Sequence, residues 1–420
     1  MIGKLSEHDA IKYLGPGLIS GAADDDPSGI ATYSQAGAQF GFNMLWTVVL
    51  TYPLMVGIQM VSARMGRVTG KGLAANIRAI FPRPVLMLIV SLLVIANTIN
   101  IAADIAAMGE AMQLIAGGGA HFYAIVFGFI SLVLQIFMPY QQYVRALKWL
   151  TLALLAYVAV IFTVSVPWLE VLTRTVLPHF DIDASSITVI VAVFGTTISP
   201  YLFFWQATQE AIDLRADPNA EALLHSPEQA REHLRRIKWD TYMGMGFSNL
   251  IAFFIILSTA VTLHAAGITQ IQTAAQAAEA LRPLAGDLTF VLFSLGIIGT
   301  GMLAVPILAG SAAYAVAETF DWETGLDRKL FEAKEFYAIL TIATAGGVLL
   351  NFTSIDPIKA LFWSAVLNGT IAVPIMAVMM MLAERSDIMG RFVVKPRLKF
   401  LGWAATLVMA LAVIAMLVTT

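Results

Sequence analysis

Apolar residues run along this chain in stretches far longer than the buried face of an ordinary core helix requires. A helix that crosses the hydrocarbon of a bilayer needs about 20 mostly apolar residues. Eleven such segments are read from the sequence: 14–38, 43–63, 85–114, 121–138, 149–167, 186–212, 241–263, 287–318, 335–353, 357–383 and 400–418. The connections between them are short and rich in proline, glycine or charge. The longest, 213–240, contains SPEQAREHLRRIKWD, where Ser226 before Pro227 marks the cap of a short surface helix.

Alternating the segments across a membrane, with the N-terminus in the cytoplasm, sorts the basic residues. All of the 25 Lys and Arg except Arg174, Arg282 and Lys359 then fall on the inner side. Inner loops carry such an excess because Lys and Arg near helix ends resist translocation. A different or shifted segment count scrambles the sorting, so the pattern predicts this topology, with the C-terminus outside.

Composition agrees. The 420 residues are 58% hydrophobic and 13% charged, with a mean hydropathy of +0.77. Soluble domains carry about 25% charged residues, so this chain has too little polar surface to coat a water-soluble particle. The opening MIGKLSEHDAIKY is polar and no small-residue cleavage site follows the first apolar stretch, so no removable signal peptide is expected. There is no cysteine, which excludes disulfides, thiolate metal ligands and cysteine nucleophiles. The net charge of −3 carries little information. The expected environment is a lipid bilayer, that of a bacterial inner membrane, and no nucleic-acid partner is expected. The sequence leaves the oligomeric state open.

Two segments are interrupted. The first reads LGPGLISGAADDDPSGIATYSQAGAQFG and the sixth VAVFGTTISPYLFFWQATQEAI, broken at Pro27 and Gly29 and at Pro200 after Gly195-Thr196-Thr197. Proline removes a backbone donor and clashes with the preceding turn. The freed backbone groups cannot face lipid and must face protein or a polar cavity. Segments one and six are corresponding members of two five-helix halves, repeat one at about 14–167 and repeat two at about 186–383, with an extra helix at about 400–418. Broken helices at matched places in two repeats point to a substrate site near the midplane of a secondary transporter. The whole of 1–420 is therefore expected to form a single transmembrane transporter domain.

Asp24, Asp25 and Asp26 lie in the middle of the first apolar segment. Charge at that depth costs at least about 2.5–3.5 kcal/mol per residue, so an intramembrane acid marks a functional site. The bland alternative is a solvated loop between two shorter pieces. Asp26, at the break itself, is the first candidate metal ligand, with Asp25 beside it and Asp24 left open. Further oxygen donors are the freed carbonyls, Ser28, and Thr196, Thr197, Ser199 and Gln206 of segment six. Oxygen ligands suit hard cations, whereas soft-metal selectivity wants sulfur or imidazole. Met108 and Met302 are expected to fill core gaps. The set thus reads as one for Mg²⁺, Mn²⁺ or Ca²⁺, as transported substrate with no cofactor. Asp104 and Glu110 in segment three either line the ion path or form a proton relay, or, for Glu110, meet solvent at the outer interface. Glu210, Asp213 and Glu318 are read as interfacial charges, and Gly195, Gly299, Gly301 and Gly310 as close-packing positions. Asn368 either offers a midplane oxygen or packs a helix.

The motif GPG-x₈-DPSG-x-AT-x₂-QAGAQFG resembles the first helix of the Nramp family, which carries Asp-Pro-Gly-Asn after Gly-Pro-Gly. SPYLFFWQA and SIDPIKALFWSAVLNGTIAVP resemble that family's sixth and tenth helices, and the likeness runs from about Gly15 to about Met381. It implies a LeuT-like fold of inverted five-helix repeats with helices one and six broken, and import of divalent transition metals, usually with protons. The family's aspartate falls on Asp26, its asparagine on Gly29, its methionine on Ser199 and its two histidines on Tyr201 and Gln206. The family's third-helix carboxylates do not align cleanly with Asp104. Loss of the thioether removes the soft ligand, and Gly and Ser are expected to enlarge the site, as a partly hydrated Mg²⁺ would need. The chain resembles the Nramp-related magnesium transporters. The implied function is transport of Mg²⁺, with Mn²⁺ also possible, by alternating access, coupled to protons weakly or not at all. Alternatives are a proton-coupled Mn²⁺/Fe²⁺ importer, a symporter of the same fold for an amino acid, and, ranked last, an intramembrane aspartyl protease; an enzyme is not expected.

Overall fold

In the computed structural model the described residues are 20–21, 23–138, 150–179, 183–326, 328, 330–353 and 356–419. All regular structure among them is helical. The long elements are α1 (Pro27–Phe40), α2 (Leu45–Thr69), α3 (Leu73–Ile80), α4 (Arg83–Ala116), α5 (Ala120–Phe137), α6 (Leu155–Val160) and α7 (Trp168–Val176). They continue with α8 (Ala184–Thr197), α9 (Pro200–Ala216), α10 (Ala230–Thr259), α11 (Thr289–Phe320), α12 (Lys334–Leu350), α13 (Pro357–Ala383) and α14 (Pro396–Thr419).

Both expected breaks are present. Ser20, Gly21, Ala23 and Asp24 are helical, Asp25 and Asp26 are not, and α1 restarts at Pro27. Segment six ends as α8 at Thr197 and restarts as α9 at Pro200. In each case proline takes the first helical position, where its missing N–H would have been unpaired anyway. The start of segment one, residues 14–19, and residue 149 of segment five lie outside the described residues.

Eight helical stretches among the described residues are long and apolar enough to cross a bilayer, and the first, Pro27–Thr69, holds parts of segments one and two. Segments five and nine fall short of that length. The first is a 3₁₀ turn at Leu150–Leu154 followed by α6, and the second is the 17-residue α12. The short surface helix expected near Ser226 is not a separate element. A 3₁₀ turn at Pro227–Gln229 runs straight into α10, and Ser226 Oγ donates to Glu221 (2.6 Å) rather than capping.

Side chains that face outward are those suited to lipid: Phe129, Phe137, Phe162, Phe400 and Leu417 are all exposed. Charged loops assigned to one side of the membrane meet one another. Arg78 pairs with Asp321, Arg236 with Glu210, and the backbone N–H of Leu223 donates to Arg67 O.

Long α4 is the central post, packed against α5, α11, α12 and α13. Two glycines set close backbone approaches. A Cβ on Gly195 would lie 2.1 Å from Ala365 O and 2.5 Å from Gly369 N, so α8 and α13 touch backbone to backbone. Gly66 likewise brings α2 onto α9, where a Cβ would lie 2.1 Å from Ala207 O. Small residues permit this where bilayer helices associate by packing. Gly301 and Gly310 also meet neighbours closely, at Met108 and Trp205.

Candidate functional site

The break before α1 buries three carboxylates: Asp24, Asp25 and Asp26 are 1%, 1% and 2% exposed. They do not point the same way, because the turn between the two helical pieces splays them. Asp26 is the N-cap of α1, its Oδ1 accepting from the Gly29 N–H at 2.7 Å. Its Oδ2 accepts from Asn100 Nδ2 of α4 at 3.0 Å. Asp24 and Asp25 turn instead towards α10, where both sit on Ser248 Oγ, at 2.8 and 3.1 Å.

Segment six meets this break from the other side. An added Cβ on Gly29 would lie 3.1 Å from Thr196 Oγ1, 3.3 Å from Asp24 O and 3.5 Å from Asp26 Oδ1. Three oxygens therefore close around the start of α1, and the glycine brings α8 to them. At Gly29 itself the expected extra room is not found, since the Thr196 hydroxyl bounds the space beside it. Ser199 Oγ donates back to Thr196 O (2.7 Å) and Gly195 O (3.0 Å), so its hydrogen is spent on the frayed end of α8. Tyr201 donates to the freed carbonyl of Ala23 (3.1 Å). Thr197 faces Tyr33 (3.0 Å), and Ser28 faces Leu361 O and Ser364 of α13.

Of the six residues expected to form the site, Asp26, Gly29 and Thr196 converge, and Ser199 adjoins Thr196 within the same break. Asp25 turns away to α10. Gln206 stands apart, about a turn and a half into α9, where its Oε1 accepts from Ser20 (2.7 Å) and Gln59 (3.4 Å). It braces the first piece of segment one against α9 rather than facing Asp26.

The partners that sequence reasoning missed are Asn100, which holds Asp26, and Ser248, which holds Asp24 and Asp25. Asn97, Asn100 and Asp104 stand at i, i+3 and i+7, one face of a helix, and that stripe in an apolar segment was a readable signal. A lone serine in α10 offers none. Asp104 is fully buried. Met108, one turn further, lies over the start of α1: a Cβ on Gly301 would be 2.8 Å from Met108 Sδ and 3.2 Å from Pro27.

None of the ion pairs among the described residues involves Asp24, Asp25, Asp26 or Asp104. Buried charge without a counter-charge is costly. The carbonyl end of α8 adds negative potential, part of which the N-termini of α1 and α9 at the same breaks offset. Such a site attracts a cation.

Acids expected to be interfacial behave otherwise. Glu210 is fully buried and meets Arg236 at 2.5 Å. Glu318 accepts from Thr208 Oγ1 (2.9 Å) and the Ala75 N–H (3.2 Å), covering the N-terminus of α3. Asp213, with its side chain 40% exposed, is the one that meets solvent as expected. Glu110 is half-buried with Oε2 unpaired, and Asn368 is buried with Oδ1 unpaired.

Comparison with known proteins gives this geometry a family. The family model described as natural resistance-associated macrophage protein-like, Nramp, matches residues 17–419. A divalent metal cation transporter MntH of Acidiphilium cryptum is 26% identical over 411 residues, covering 94% of this chain and 87% of its own. That of Verminephrobacter eiseniae is 27% identical over 371 residues, covering 84% and 81%. The solved manganese transporter of Eremococcus coleocola superposes with a TM-score of 0.74 at 16% identity, over 98% of this chain and 89% of that one. Mhp1, a nucleobase-cation-symport-1 family transporter, follows with a TM-score of 0.60 at 14% identity, over 96% and 92%. The fold is thus the expected LeuT-like one. The chain belongs to the Nramp family: it is an integral membrane transporter of metal cations, not an enzyme, and the metal is its substrate rather than a resident cofactor.

Proposed function

We propose that this transporter carries a hard divalent cation, Mg²⁺ with Mn²⁺ also accepted, by alternating access around the break between α1 and α8. The observation that carries the reading is the cluster of oxygens around Asp26. Its carboxylate is buried beside Thr196 Oγ1 and the Asp24 carbonyl. Ser199, where the family has methionine, supplies a hydroxyl in place of a thioether. Carboxylate, hydroxyl and carbonyl oxygens are ligands for hard ions. In this reading Asp26 is the principal ligand, Thr196, Ser199 and the backbone at Gly29 complete its surroundings, and Asp25 and Gln206 act from the edge. The two halves, about 14–167 and 186–383, rock about this point within one transmembrane unit. With Tyr201 and Gln206 in place of histidines, proton coupling is weak or absent and the membrane potential drives uptake. The bacterial relatives make an inner membrane the setting.

A second reading has support of its own. Met108 Sδ lies beside the start of α1, a thioether on α4 that would favour Mn²⁺, the ion named for the Eremococcus transporter. Proteoliposomes with an internal Mg²⁺-sensitive dye, a valinomycin potential and a parallel pH reporter separate the two. Mg²⁺ influx without acidification is expected, and Asp26→Ala should abolish it. Mn²⁺ influx with protons and no Mg²⁺ signal supports the second reading. Near-normal transport by Asp26→Ala sinks both.

A further inference from the structure

We propose that Asp104 and Asn100 of α4 are direct ligands of the transported cation, completing its site from the side opposite α8. The inference rests on Asp26 being a ligand and adds residues that neither the family match nor the sequence motif supplies.

Asn100 is fully buried, and its Nδ2 is fixed on Asp26 Oδ2 at 3.0 Å. Its Oδ1 has no hydrogen bond. Asp104, one turn further on the same face, is fully buried and neither of its oxygens has a well-formed hydrogen bond. The Ser28 N–H at the start of α1 lies near both Asp104 and Asp26. Residues four apart on a helix lie about 5–6 Å apart at their Cβ atoms. Asn100 and Asp104 therefore bring three buried oxygens without a well-formed hydrogen bond to the face of α4 that meets Asp26.

The register that does this is held from behind. Asn97, on the same stripe, donates to Leu308 O (2.8 Å) and Ser311 Oγ (2.7 Å) of α11. Rotation of α4 would break both bonds, so the unpaired oxygens are not a loosely placed side chain.

A buried oxygen without a donor is costly unless something positive reaches it. Bound oxygens of Mg²⁺ lie about 2.1 Å from the ion, so one cation spans the gap between two carboxylates that otherwise repel. Charge sets the valence. With both carboxyls ionised around the ion, Asp26 and Asp104 supply two negative charges, which a divalent cation neutralises and a monovalent one leaves half-balanced. Asp24 and Asp25 face the other way, onto Ser248.

The test uses the full chain in nanodiscs with Mn²⁺ as the binding probe, and in proteoliposomes for Mn²⁺ and Mg²⁺ uptake. Asp104→Asn, which keeps the shape, should weaken Mn²⁺ binding at least ten-fold and raise KM for both ions in step. Asn100→Asp adds a third charge and should tighten Mn²⁺ binding several-fold, a gain that misfolding cannot produce. Asp26→Asn is the control for the underlying reading. Loss of Mn²⁺ binding in Asp26→Asn with wild-type affinity in Asp104→Asn and Asn100→Asp overturns the inference and leaves the function standing. So does an Asp104→Asn variant that binds Mn²⁺ normally but shifts the pH profile of uptake, the behaviour of a proton relay. Normal binding by Asp26→Asn removes the function itself.

Discussion

The ion pair between Glu210 of α9 and Arg236 of α10 gives a prediction whose asymmetry the structure sets. Their contact is 2.5 Å, but the Glu210 side chain is fully buried while that of Arg236 is 18% exposed and also reaches Asp213 at 3.5 Å. Arg236→Met keeps the apolar stem and strands a buried carboxylate. Breaking a buried pair from one side costs about 3–5 kcal/mol. Arg67 lies close enough to attract Glu210, which places the expected loss at the lower end, about 3 kcal/mol. Glu210→Gln leaves a guanidinium that still has Asp213 and water, so its cost is about 1 kcal/mol. The double variant should fall short of the sum by about 2 kcal/mol, the signature of direct coupling. Equilibrium unfolding in mixed micelles measures all three. The pair lies ten residues beyond Pro200, where α9 restarts after the break, so metal KM should change less than two-fold while turnover changes. Equal losses in the two single variants, or strict additivity in the double, would refute the reasoning that burial governs this pair.

Other expectations follow from single contacts. Gly195→Ala drives a Cβ to 2.1 Å from Ala365 O; neither backbone can yield, so a loss of about 3 kcal/mol and of transport is expected, read from thermal unfolding and uptake together. Gly29→Ala meets the rotatable Thr196 hydroxyl most closely, at 3.1 Å, with Asp24 O at 3.3 Å, so stability should fall little while metal KM rises about five-fold, roughly 1 kcal/mol; an unchanged KM would put the cation elsewhere. Ser248→Ala removes the shared donor of Asp24 and Asp25 and should cost about 2 kcal/mol in the same unfolding assay. At the inner end of α13, hydrogen bonds from Lys399 and Trp403 of α14 hold the Glu384 carboxyl below the usual glutamate range. A depressed acid contributes its stability above its unfolded pKa and loses it as pH falls through the folded one. Docking of α14 should therefore weaken on acidification below the ordinary glutamate range, and Glu384→Gln should flatten that dependence in a pH series of thermal unfolding.

What was legible in the sequence was whatever a single residue dictates locally. Pro27 and Pro200, each after a polar or glycine-containing stretch, take the first position of a restarted helix, whereas Pro53, Pro306 and Pro374 lie within continuous ones, and an acid beside a break in an apolar segment had to be functional or solvated. What was not legible was direction. Asp24, Asp25 and Asp26 are adjacent letters, yet one faces α4 and two face α10, because the choice lies in the backbone angles of a two-residue turn. Depth was likewise hidden. Glu210 and Glu318 sit near helix ends in sequence, where charge is cheap, but the arriving ends of α10 and α3 cover them. Gly29 shows the same limit in the site itself. Removing a side chain reads as added room only if nothing moves in, and here Thr196, 167 positions away, does. A stripe such as Asn97–Asn100–Asp104 differs from these cases. Its members share one helix, so their common face follows from spacing alone, and only the identity of what they face, Asp26 across 74 residues, had to come from the fold. Periodic polar residues inside an apolar span are therefore stronger evidence for a lined path than isolated acids at its ends.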